Sequence, residues 1–144
     1  MTFSRFSSLR ILIAAACSAF AASRGAAEAK GFGCSCELVG GYIEVQKALA
    51  AGDLAAAKVA AKGFAKAANE DGMTGMERNA LAIAAAANLK EARAAFQKST
   101  DDVIPLVGHD EGFVVMHCPI AKADWVQAKG EARNPYLGKL HAGP

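Results

Sequence analysis

"YIEVQKALAAGDLAAAKVAAKGF", residues 42–64, decides the fold. Tyr42, Val45 and Leu49, with Leu38 upstream, recur at helical spacing and make one apolar stripe. "AGD" at 51–53 interrupts it, and Asp53 is the type of residue that caps a helix start. Leu54, Ala57, Ala61, Phe64 and Ala68 then trace a second stripe. Two amphipathic helices with so short a connection predict an antiparallel hairpin.

Downstream, "NEDGMTG" at 69–75 reads as a loop. Thr74-Gly75-Met76-Glu77 reads as a capping box that opens a third helix through Leu81, Ala84 and Ala85. Asn88-Leu89-Lys90-Glu91 is a second start signal, so the third helix ends near Ala87, with one continuous helix through Asn88 as the alternative. Leu89, Ala92, Phe96, Ser99 and Val103 form the stripe of a fourth helix, which Pro105 is expected to stop. The abundant alanines favour helix and let axes approach closely. The predicted class is all-α: an antiparallel up-and-down four-helix bundle followed by a structured, irregular C-terminal tail. In that topology the start of the first helix and the end of the fourth share one end of the bundle, so Cys34 and Cys36, just before the first helix, and Cys118, in the tail that leaves the fourth, are expected to meet there.

Upstream, Arg5 and Arg10 precede a short apolar run, Ile11–Ala16, and a small-residue stretch. This is the layout of a secretory signal peptide, with "AFA" at 19–21 and "AEA" at 27–29 as alternative cleavage sites. The expected division is a signal over 1–29, a linker over 30–37 and a helical domain with its tail over 38–144. The expected location is periplasmic or secreted, with lipid anchoring at Cys17 disfavoured and no membrane span in the mature protein. The full chain has 16 basic and 14 acidic residues, and cleavage after Ala29 leaves 13 of each. A neutral domain lacks the basic footprint that nucleic acid requires, so that class is set aside.

Cleavage would leave three cysteines, Cys34, Cys36 and Cys118, an odd number for an oxidising compartment. Cys118 lies in "FVVMHCP", where Phe113, Val114 and Val115 are strand-like and Pro119 keeps the cysteine out of helix. In extended backbone Met116 and Cys118 share a face, with His117 opposite. Cys118 admits three readings: a soft-metal ligand, half of a disulfide, or a buried small residue. Cys34 and Cys36 flank one serine and can present two sulfurs on one side. With His141 near the terminus, the candidate metal ligands are Cys34, Cys36, Cys118, Met116, His117 and His141. That donor set suits cuprous ion, with zinc as the second choice. Trp125, Pro135 and Tyr136 read as clamps that hold the tail on the bundle, and Arg93 as a candidate partner for tail carbonyls. Glycine-rich phosphate loops, Cys-x-x-Cys and paired-histidine helix signatures are missing, so no enzymatic activity is expected.

The pieces taken together resemble domain-of-unknown-function family 3347. They are the "YIEVQKALAAGDLAAAKVAAKGF" opening, then Arg93, Phe96 and Ser99, then "HCP-A", a tryptophan and "RNPYLG". The resemblance implies a small exported helical domain, found alone or attached to membrane-fusion subunits of heavy-metal efflux systems, and an association with copper or related metals. It implies no enzymatic activity. Two departures bear on the metal expectation: Ile120 stands where the family usually has methionine, and "GKLHAGP" replaces a terminal methionine and cysteine-glycine. The expected function is thus a copper-type metal-binding accessory protein linked to metal handling or efflux. The alternative is a metal-free interaction module with a disulfide-fixed tail.

Overall fold

The computed structural model describes residues 36–108 and 110–138. They form four helices, α1 (Cys36–Ala51), α2 (Leu54–Glu70), α3 (Thr74–Ala85) and α4 (Leu89–Val107). Two strands follow, β1 (Phe113–Cys118) and β2 (Ala123–Ala128), paired antiparallel. The described residues are mostly helical, but the all-α expectation is corrected by this hairpin.

The first two stripes are the core. Leu38, Tyr42, Val45, Leu49, Ala57, Ala61, Phe64 and Ala68 are all fully buried, with Leu54 half-buried beside them. Gly41 sets how closely α1 and α2 approach: a Cβ there would sit 2.9 Å from the Phe64 Cα. Asp53 caps α2 by accepting from the Ala56 amide at 2.9 Å, as its residue type predicts. α4 keeps its predicted face, with Ala92, Phe96, Ser99 and Val103 buried.

Three local expectations change. Thr74 is the first residue of α3 rather than its cap; Met73 takes the cap position, and Glu77 turns outward to accept from Asn69. The buried stripe of α3 is therefore Met76, Ala80 and Ile83, while Leu81 is left 49% exposed. A variant of the box forms instead at the Asn88 cap, with Glu91 reaching one residue beyond it. Asn88 Oδ1 accepts from the Glu91 amide at 3.0 Å, and Glu91 Oε2 accepts from the Ala87 amide at 2.9 Å. Finally, α4 runs through Pro105 to Val107. A proline this close to a helix end removes one bond, to the carbonyl of Asp101, and that residue is exposed to water.

The hairpin has a sequence cause. Two six-residue runs flank Pro119–Lys122, the first with Phe113, Val114 and Val115 and the second with Trp125 and Val126 as its strand formers, and Lys122 closes the turn at φ 51°. β2 is the covered strand, with Trp125, Val126 and Gln127 buried; β1 is the outer strand, with Val115, Met116 and His117 exposed. Since Gly41 has no room for a methyl group, Gly41→Ala is expected to lower stability by about 1–3 kcal/mol in denaturant unfolding, whereas Gly40→Ala, where space is open, should not.

Candidate functional site

The C-terminal segment is fastened to the helices by polar anchors. The Tyr42 hydroxyl, fully buried, accepts from the Val126 amide at 3.1 Å and pairs with Thr100 Oγ1 at 2.7 Å. Gln46 Nε2 donates to the Arg133 carbonyl at 2.6 Å. Arg93 Nε donates to the Pro135 carbonyl at 2.7 Å, and its Nη2 reaches the Leu49 carbonyl at 3.3 Å. Arg93 is thus the tail clamp that the sequence offered as one reading, and partial burial lowers its pKa from the ordinary value. Tyr136 completes the fastening: its hydroxyl donates to the Asp124 carbonyl at 2.8 Å and its ring meets Trp125 and Phe96. Burial pushes its phenol up to about 12.

Cys118 closes β1 beneath the hairpin turn and is 1% exposed. Its sulfur accepts from the Ala121 amide at 3.4 Å. Burial by itself would push this thiol up; the Asn134 side chain and the Ala121 and Ile120 amides outweigh it and hold the thiol below its ordinary value. Asn134 also organises "RNPYLG", because its Oδ1 accepts from the amides of Tyr136 and Leu137. One side chain therefore serves both the terminal turn and the buried sulfur.

The strand register places the neighbours as alternation requires. Met116 faces Trp125 and Cys118 faces Ala123 on one side; His117 faces Asp124 on the other. Met116 is exposed, and His117 Nδ1 lies 2.6 Å from Asp124 Oδ1. Cys36 opens α1 and is exposed. It lines a recess of about 360 Å³ together with Val39, Ile43, Leu106, Val107 and Phe113. The start of α1 and the end of α4 therefore do meet. From there, however, β1 carries the chain from Phe113 to Cys118, a strand rise of roughly 16 Å. Among the described residues Cys36 and Cys118 are both free thiols, one at the recess and one under the turn. Cys34 and His141 lie outside the described residues. Among the described residues no three of His, Cys, Asp and Glu stand together as a metal-holding group, and no helix is long and apolar enough to cross a membrane.

A family described as protein of unknown function (DUF3347) matches residues 38–111, half of the chain. The chain belongs to the DUF3347 family. The match runs from Leu38 in α1 past the end of α4 and stops before β1, so the hairpin with Met116, His117 and Cys118 lies beyond it. No curated protein matches the chain, and no solved structure does.

Sequence reasoning missed β2 and the role of Asn134. The signal for β2 was weaker, resting on Trp125 and Val126 in "ADWVQA", a run separated from β1 by a proline turn. If Asn134 helps hold the buried sulfur, Asn134→Ala should raise the Cys118 pKa toward or above that of an ordinary thiol. Thiolate absorbance followed against pH reads this, and an unmoved titration would remove Asn134 from the account.

Proposed function

We propose that this DUF3347 chain is an exported, metal-independent interaction module. Its four helices, in antiparallel up-and-down order, serve as a frame that presents the β1–β2 hairpin for docking. The observation that supports this reading is the asymmetry of the hairpin. β2 is buried and bonded to α1 through Tyr42, whereas β1 stands outermost with Val115 49% and Met116 38% exposed. The recess is a lesser surface of the same frame, apolar inside with Lys47 and Asp110 at its lining. In the disulfide version of this reading a bridge fixes the tail. Here Gln46, Arg93 and Tyr136 supply that fixation by hydrogen bonds, and Cys118 is a free thiol.

A second reading keeps the copper expectation, and one observation favours it: the lowered Cys118 thiol, with the Met116 thioether two residues away on the same face. A thiolate and a thioether are donors that suit cuprous ion better than zinc. Such a protein would buffer the ion or pass it to an efflux component. His117 would join only by leaving Asp124.

One preparation separates the two readings. Taken from its native compartment under gentle conditions, the chain is expected to carry no stoichiometric metal and to sediment as part of an assembly larger than one chain. A stoichiometric soft ion that disappears in Cys118→Ser establishes the second reading. A metal-free chain that sediments alone contradicts the first.

A further inference from the structure

The edge of β1 can be read bond by bond. The Lys129 amide donates to the Gly112 carbonyl at 2.9 Å, which marks Gly112–Lys129 as a bonded pair of the antiparallel ladder. Alternation then makes Val114–Gln127, Met116–Trp125 and Cys118–Ala123 the bonded pairs within the register. Phe113, Val115 and His117 turn their N–H and C=O groups the other way, toward the outer edge. Two contacts agree with this assignment. The Val126 amide, pointing outward from β2, is taken by Tyr42, and the Phe113 amide, pointing outward from β1, is taken by the Asp110 carbonyl. Among the described residues the outward main-chain groups of Val115 and His117 have no partner.

We propose that a second copy of this chain adds to this edge, β1 against β1, in a two-fold antiparallel pair centred on Met116. The inference rests on the interaction-module reading and names its partner. Three features argue for a copy of the same chain. First, the outward groups are self-complementary. With the axis at Met116, Val115 of one copy lies opposite His117 of the other, and both outward residues on each strand find reciprocal N–H···O bonds. Second, the rotation brings no fixed charges of like sign together along the strand, because β1 (Phe113–Cys118) contains no Asp, Glu, Lys or Arg. Third, the pairing sets the exposed Val115 beside His117 of the other copy and the exposed Met116 beside its own counterpart, so each gains a cross-strand neighbour. The ladder to β2 is untouched, because the new bonds use groups that β2 does not.

Sedimentation of the purified chain between about 10 μM and about 1 mM tests this. A reversible monomer–dimer equilibrium is expected. Val115→Pro removes an outward N–H while sparing every bond to β2, and it should weaken the dimer at least tenfold. Should Val115→Pro fail to fold by circular dichroism, Val115→Lys, which puts a charge on the same edge, takes its place with the same expectation. Geometry is read separately by Met116→Cys in a Cys34→Ser, Cys36→Ser background. On the two-fold axis the paired Cα atoms would stand about 4.5 Å apart, within disulfide reach. That variant should cross-link at least tenfold faster than Val59→Cys, although Val59 on α2 is the more open position, 72% exposed against 38% for Met116. A chain that stays monomeric throughout overturns the proposal, as does a dimer indifferent to Val115 or a Met116→Cys rate no greater than that of Val59→Cys. If the purified chain is monomeric while the chain in its native extract still sediments as an assembly, the second-copy inference fails and the module reading stands. If both are monomeric, both fail.

Discussion

The whole C-terminal half of the site depends on one buried hydroxyl. Val126 donates its amide to Tyr42, Tyr42 pairs with Thr100, and Thr100 donates to the Phe96 carbonyl at 3.1 Å. With Thr100 committed to Phe96, Tyr42 is the donor in the middle bond, and the chain of polar groups has one direction. Each bond polarises the next in this dry environment. The ring is held as firmly as the hydroxyl, stacked on Phe96 at 4.8 Å and edge-on to Phe64 at 6.0 Å. Desolvation by burial raises the Tyr42 pKa well above the usual phenol range, so the hydroxyl stays neutral and able to donate. Losing it would strand a buried amide, a penalty of about 1–3 kcal/mol.

That constraint decides which strand is free. A two-stranded hairpin is marginal by itself and needs something to pack against. Here the helices bond to the outer edge of β2, so stability is delivered to one strand and β1 is held only through its partner. Gln46 and Arg93 extend the same arrangement to the terminal turn, and Trp125 is enclosed between β2 and Tyr136. Cys118 is then a by-product of how the turn must close: it sits under Pro119–Lys122 where main-chain amides and Asn134 converge on its sulfur. The sulfur is well solvated by protein donors yet far along the strand from the recess where Cys36 lies.

The helices were legible because burial of a stripe is written in the spacing of single residues. Leu38, Tyr42, Val45 and Leu49 could form no other continuous face, and Asp53 and Asn88 carry the oxygens that their caps require. α3 was read less well, since in "TGMERNALAIAAA" alanine offers almost any face and Leu81 outweighed Met76 and Ile83 in the pattern. Pro105 misled because the rule against helical proline weakens where the lost acceptor is open to water. β2 and the buried position of Cys118 depend on contacts between residues distant in the chain, namely Tyr42 with Val126 and Asn134 with Cys118. Spacing along a sequence does not report such contacts. The expectation that sulfur donors gather at one pole rested on helix topology alone, which places Cys36 beside the end of α4 but does not say where a strand carries Cys118.

Residue-resolved amide hydrogen exchange on dilute chain tests the central claim most directly, that the helices pin β2 and leave the β1 edge open. The Val126 amide, which faces away from β1, should be strongly protected in the wild-type chain and lose most of that protection in Tyr42→Phe. The outward amide of Val115 should exchange fast in both. A Val126 amide that exchanges as fast as Val115 in the wild type, or one that Tyr42→Phe leaves unchanged, would contradict the account.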